Sequence, residues 1–188
     1  MSEVITKAMK RPGIAPAFLT GLGVFATLLV TGVVQAILSI LWAATAGSSP
    51  SGYLGQVWSQ HLQESLSGRL PFAIGVFLCF WQLAPIAPVL RLAHVVTRSI
   101  LAALVGGTVM WLVLMALQLV AAVVRTPFST PAFTVLGELG PDALQALFQT
   151  LSAIVAWLPV AVLGGILLWG WLQRHPLDKP VHGALDEV

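Results

Sequence analysis

The side chains able to do chemistry in this chain are few: four histidines, one cysteine and seven carboxylates in 188 residues. His61 is the one with company. In a helix, Glu64 at i+3 lies within its hydrogen-bonding reach, and Trp58 and Leu54 share its face. That pairing suits a pH-sensitive contact or acid–base group at a membrane surface, or else a polar anchor to the helices beneath. No nucleophile or third group accompanies the pair, so the anchor is the preferred reading and no enzyme is expected. His94, His175 and His182 stand apart, and no Cys/His spacing suits a metal or paired haem ligands. Gly-rich phosphate loops and nucleophile elbows are absent, so no cofactor is expected either. Cys79 is the single thiol and cannot form an internal disulfide.

The other polar groups are uncharged and sit in apolar runs. Thr20, Thr27, Thr31, Gln35 and Ser39 fall within about a third of a helix circumference. Such a stripe must face protein or a cavity, because lipid offers these groups no partner. It reads as a helix–helix contact or as the wall of a polar pathway, and the missing charge favours the contact. Gln118 and Gln149 fall at a depth similar to Gln35, with Glu138 and Asp142 nearby in sequence. They can rim an outward pocket or simply cap the bundle. Ala102/Gly106, Ala103/Gly107 and Ala161/Gly165 are small-residue pairs suited to close helix packing. Trp81, Trp111 and Trp157 fall mid-span and are read as packing groups.

These groups have to be held by membrane-spanning helices. The chain is 57% hydrophobic and 9% charged, with a mean hydropathy of +0.92. A soluble domain is about 45–50% apolar and about 25% charged, and a disordered one is poorer still in apolar residues. No charged residue occurs from Arg11 to Glu64, Arg69 to Arg91, Arg98 to Arg125, or Asp142 to Arg174. These windows place four spans near 15–45, 70–90, 99–124 and 142–173, all free of ionisable residues. The apolar run Ala15–Ala46 exceeds a secretory signal core and is read as a retained first span.

Between the first two spans, Ser49-Pro50 and Leu66-Ser67-Gly68 bracket a helix over 50–67. Tyr53, Leu54, Val57, Trp58, Leu62 and Leu66 share one face of it, which predicts an amphipathic helix lying in the outer interface. A shorter segment from Thr130-Pro131 to Gly137 occupies the corresponding place between spans three and four. The layout resembles the small membrane subunit of TRAP-type transporters, which has four spans and an interfacial helix after the first. Trp58-Ser59-Gln60-His61-Leu62-Gln63-Glu64 carries one carboxylate where that family has paired acids, and no residue is carried over from it. Features recurring 80 to 83 positions apart, such as Gln35/Gln118 and Ala73-Ile74/Ala153-Ile154, fit a duplication of 14–95 in 97–175. Chance agreement in an Ala/Leu/Val-rich background is the preferred reading of them.

Lys7, Lys10, Arg11, Arg91, Arg98, Arg174 and Lys179 fall on one side of this layout, against Arg69 and Arg125 on the other. The positive-inside rule then predicts both termini in the cytoplasm, with the chain integral to a bacterial cytoplasmic membrane. Trp42 on the outer side and Trp169 and Trp171 on the inner side suit interfacial anchors. Arg91, His94, Arg98 and Arg174 form a basic inner ring suited to anionic lipid headgroups. The expected fold is an all-α, four-helix transmembrane bundle, N-in and C-in, forming one membrane domain. The expected function is a non-catalytic subunit: an accessory, anchoring or assembly component of a larger membrane complex. The alternative is a small homo-oligomeric transporter, channel or lipid-handling protein with a polar path lined by Thr27, Thr31, Gln35 and Gln118. Partners are membrane lipids and other membrane subunits or further copies of the chain, and not nucleic acid.

Overall fold

A computed structural model of the chain describes residues 14–45, 50–125 and 132–175. Lys7, Lys10, Arg11, Ser49, Thr130, Pro131, Lys179 and His182 lie outside the described residues. Every regular element among those described is helical: α1 (Ile14–Thr45), α2 (Pro50–Glu64), α3 (Leu70–Leu78), α4 (Leu92–Arg125) and α5 (Ala132–Arg174). Four stretches are long and apolar enough to cross a membrane: Ile14–Thr45, Leu54–Leu83, Leu92–Val124 and Asp142–Arg174.

The second stretch departs from expectation. A π-helical turn, Ser65–Arg69, joins α2 to α3, so the segment predicted to lie in the interface is the first half of a continuous helical rod. The cause is local. Pro71 has no N–H and its ring crowds the carbonyl one turn back, which an ordinary α-turn does not tolerate. The wider turn just before it, closed by the Leu70 N–H on the Ser65 carbonyl, absorbs that conflict without ending the helix. The rod stops at Leu83 rather than near 90. A second π-turn, Cys79–Leu83, closes with the Ala84 N–H on the Cys79 carbonyl at 2.8 Å. Pro85 and Pro88 then keep the chain out of the helix. At the other predicted interfacial segment, Ala132 already begins α5, and Gly140-Pro141 does not interrupt it.

The inward face of α2 also differs from the predicted one. Val57, His61 and Ser65 are buried, whereas Leu54, Leu62 and Leu66 are exposed. Only the narrow strip Val57, His61 and Ser65 turns into the protein, while Gln56, Ser59, Gln60 and Gln63 face outward together with the leucines.

Four rods form a ring. α1 packs on α2 and α3, α3 packs on α4, α4 packs most extensively on α5, and α5 returns to α1. Phe72, Val76, Cys79 and Phe80 of the second rod fill the centre with Ala102, Ala103, Ala161 and Leu168. Phe72 meets Trp157 of α5 edge-on across the ring, with centroids 5.1 Å apart. Glycine sets the closest approaches. A Cβ on Gly75 would lie 2.6 Å from the Cα of Gly106, and one on Gly106 would lie 2.8 Å from the Phe72 carbonyl oxygen. α3 and α4 therefore touch backbone to backbone at one point, as small residues allow in membranes.

A substitution pair tests that contact. Gly75→Ala should lower the unfolding free energy in detergent by about 1–3 kcal/mol, because backbone cannot yield as a side chain can. Gly55→Ala, where an added Cβ meets nothing within 4 Å, should leave stability unchanged or raise it by up to about 1 kcal/mol through helix propensity. Equal responses at the two sites would mean that α3 and α4 are not in backbone contact.

Candidate functional site

The most polar place in the interior lies where α2 passes into α3. His61, Ser65 and Arg69 follow one another at four-residue spacing and so fall on one face of the rod. All three are buried, Arg69 to 3% exposure, and Arg69 stands at the middle of the 30-residue stretch Leu54–Leu83. Glu64 is five residues back, a spacing that an α-helix would turn away from Arg69. The π-turn rotates the two toward each other, and Arg69 Nη2 meets Glu64 Oε2 at 3.0 Å. Arg69 Nη1 donates to His61 Nδ1 at 3.0 Å and to Ser65 Oγ at 3.2 Å. Ser65 in turn donates to the His61 carbonyl at 2.7 Å.

Chemistry fixes the proton positions. A guanidinium can only donate, so His61 Nδ1 accepts and the imidazole proton belongs on Nε2. His61 and Glu64, the pair singled out from the sequence, are thus joined through Arg69. Trp58 covers the imidazole edge-on at 5.9 Å.

The neighbouring helix makes room for this cluster with a glycine. A Cβ on Gly32 of α1 would overlap the Arg69 guanidinium. Only at a glycine can that planar group lie against the backbone of α1 so closely. Gly32 is within about 4 Å of halfway along α1 at 1.5 Å per residue. Its helix presents Gly21, Val24, Leu28, Gly32 and Ala36 inward, a face of small and apolar residues. The cluster is therefore closed on the α1 side, while the Glu64 side chain remains 50% exposed on the outside of the ring. One carboxylate, held by a buried cation, faces outward from the middle of the bundle.

Arg69 overturns two expectations. It was assigned to an outer loop, and the spans were expected to be free of ionisable residues; Arg69 is instead helical, and both it and His61 fall within Leu54–Leu83, the second stretch long and apolar enough to cross a membrane. A Ser67-Gly68 pair followed by Pro71 resembles a helix stop. The signal that points the other way is the run His61, Ser65, Arg69 at i, i+4 and i+8.

The polar stripe of α1 lies elsewhere. Thr27 and Thr31 are exposed, and their hydroxyls return to the carbonyls of Gly23 and Thr27, each at 2.8 Å. Gln35 is exposed as well. Gln118 is on α4, across the ring from α1, and its buried Oε1 has no hydrogen-bond partner among the described residues. Trp111 Nε1 and Thr150 Oγ1 share that condition. Thr150 is 3% exposed and lies against Gly107 on the facing helix, so an unpaired hydroxyl stands beside the α4–α5 glycine contact. Thr150 is unlike Thr20 and Ser99, whose hydroxyls bond a carbonyl one turn back.

The predicted inner basic groups gather at the opposite end. Arg91 and His94 are exposed at the start of α4, and Arg174 is exposed at the end of α5. Arg98 donates to the Pro85 carbonyl, and Trp169 Nε1 donates to the Leu90 carbonyl at 3.0 Å. Both bonds tie the 84–91 connection to the bundle. No group of three or more His, Cys, Asp or Glu suited to a metal occurs among the described residues.

The Gly32–Arg69 contact can be isolated by a double-mutant cycle. Gly32→Ala should destabilise the protein by about 1–3 kcal/mol, since the new methyl displaces a charged group that has no other buried place to go. In an Arg69→Met background the same substitution should change stability by less than about 0.5 kcal/mol. Equal effects in both backgrounds would show that the guanidinium does not lie on Gly32. Known families leave this geometry to speak for itself: no family model matches the chain, and no curated protein or solved structure is similar to it.

Proposed function

We propose that the chain is a non-catalytic membrane subunit that holds a partner's membrane helix through the carboxylate of Glu64. The observation that carries this reading is the Glu64–Arg69 pair, where the polar first half of the second rod meets its apolar second half, with the cation buried and the acid facing outward. Ionisable side chains at such depth mark functional sites by default, because hydrocarbon cannot solvate them. Here Arg69 is satisfied inside the chain, and Glu64 has room for one more donor on its open side. Gln60 and Gln63 are exposed on the same segment, which widens the polar surface. Below the cluster, Phe72, Val76, Phe80 and Trp157 fill the ring, an arrangement that favours lateral docking over conduction through a single chain.

The placement that goes with this reading is a bacterial cytoplasmic membrane, with both termini on the cytoplasmic side. Its support is the distribution of charge. With Arg69 inside a span, Arg125 is left as the one Lys or Arg of the nine that falls on the outer side. Arg91, Arg98 and Arg174 stand at the opposite end of the bundle, and in the sequence Lys7, Lys10 and Arg11 precede α1 and Lys179 follows α5, as the positive-inside rule requires.

A second reading is favoured by a separate observation, the unpaired Trp111 and Gln118 atoms on α4 and Thr150 hydroxyl on α5. Buried polar groups without partners are few in folded proteins and invite water or a ligand. On that reading the chain is a small transporter or channel, its polar path completed by further copies of itself.

Purification from the source membrane into nanodiscs, with co-purifying proteins identified by mass spectrometry, separates the two. The expected result is stoichiometric recovery of another membrane protein, lost in Glu64→Leu while the chain's own yield and thermal stability hold. Recovery of a defined homo-oligomer alone, with capture indifferent to Glu64, would overturn the subunit reading. In that case reconstituted vesicles would decide for transport, with Gln118→Leu abolishing flux.

A further inference from the structure

Far from the arginine cluster, α1 and α5 part enough to leave a groove of about 870 Å³ on the side of the bundle. Its walls are the first half of α1, around Thr20, Gly23 and Thr27, and the last half of α5, from Val160 to His175. The walls contain hydroxyls yet are chemically apolar. Thr20 Oγ1 donates to the Pro16 carbonyl at 2.9 Å and Thr27 Oγ1 to the Gly23 carbonyl at 2.8 Å, so both threonines offer methyls to the groove. Nothing along its length asks for a polar ligand.

One end is different. Arg174 and His175 stand at the mouth, where α5 finishes. The His175 ring stacks on Trp171 at 5.0 Å, and Arg174 is exposed. The groove therefore has an apolar trough with a cationic, aromatic rim at one end only. Its length is also informative. From Val160 to Arg174 the helix rises about 21 Å, which matches one leaflet of a bilayer about 40–45 Å thick with its headgroups. Trp157, just above the groove, meets Phe72 at the level of the ring's centre. A trough that starts at mid-depth and ends in an arginine at the interface has the dimensions and polarity of a single lipid.

We propose that this groove is a binding site for one anionic phospholipid, with acyl chain along α1 and α5 and headgroup phosphate on Arg174. The volume falls within the about 300–1,000 Å³ of ligand pockets, far more than an ion needs. Glycine builds the trough: an added Cβ at Gly23 or Gly170 meets nothing within 4 Å. Arg174 supplies charge preference, and the buried methylenes supply most of the affinity. The site rests on the four helices lying in a bilayer, but not on Glu64 holding a partner.

The test uses the full-length chain in detergent with added phosphatidylglycerol or phosphatidylcholine, and counts retained lipids by native mass spectrometry. The wild type should keep one phosphatidylglycerol per chain in preference to phosphatidylcholine. Arg174→Gln should weaken phosphatidylglycerol retention about fivefold, the effect of one basic side chain near a charged headgroup, and leave phosphatidylcholine unchanged. Gly23→Phe fills the trough and should reduce retention of both lipids. Gly170→Phe repeats that test from the facing helix should the first variant fold poorly. Lipid counts indifferent to both Phe substitutions would overturn the proposal. So would a dimer that Gly23→Phe converts to monomer, since a second copy would then occupy the groove. Glu64→Leu should lose partner capture and keep its lipid, so the two proposals fail separately.

Discussion

The burial of one guanidinium organises this bundle. Removing a charge from water costs several kcal/mol after relaxation, and the cost is tolerable only where hydrogen bonds and an opposite charge replace the solvent. Arg69 has both, and each replacement places a demand on the fold. Glu64 comes within reach only because the turn between them is π-helical. His61 and Ser65 accept only because they stand two turns and one turn back on the same face. The approach of α1 is possible only at Gly32. A one-residue slip of α1 along the second rod would set Thr31 or Val33 against the guanidinium in place of glycine. The cluster therefore acts on the register of the first two rods as well as on their stability, a role that buried polar groups fill in some helical assemblies. Apolar side chains alone would permit many such registers, since leucine and valine pack about as well against one neighbour as against the next.

Much of the architecture was legible in the sequence, for a simple reason. In hydrocarbon every charge is expensive, so charge-free windows report helix positions directly. α1, α4 and α5 lie close to those windows, differing mainly where helix continues past the apolar core, as in Ala132–Arg174. What was illegible is the passage from α2 to α3. Ser67, Gly68 and Pro71 are local breakers, and read locally they end a helix. The structure overrides them because the rod is packed on both sides of that point, on α1 above and on α1 and α4 below. Misplacing that break moved Arg69 from the interior to a loop, and with it the whole candidate site. His61 and Glu64 were recognisable as a pair, but the residue joining them lay beyond the assumed helix end. The stripe on α1 was misleading in another way. Its threonines satisfy themselves on their own backbone, so a periodic row of hydroxyls did not need the polar surroundings that periodicity suggests.

The bundle is unequal along its length, and the inequality separates its two lateral surfaces. Around and below Gly75 and Gly106, the rods close on one another, with Phe72, Val76 and Phe80 filling the space between them. Above the π-turn, α2 keeps company chiefly with α1, and α4 chiefly with α5. The outward carboxylate belongs to that more open half, and the apolar groove with its basic rim belongs to the closed half. A path through the chain would have to pass the aromatic plug formed by Phe72 and Trp157. Contacts at the perimeter meet no such obstacle. Glu64 presents a directed acceptor on the outside of the ring, and the α1–α5 groove presents apolar surface. The two surfaces differ in chemistry and lie on different parts of the perimeter, so the two proposed occupants would not compete. This division gives the apolar exterior of α1 a context. A helix that must accommodate Arg69 on one side has few inward positions to spare, and Leu19, Val30, Val34, Ile37 and Leu38 are left facing out. They make a surface that hydrocarbon or another membrane helix can cover equally well, so on the proposed reading specificity is left to Glu64.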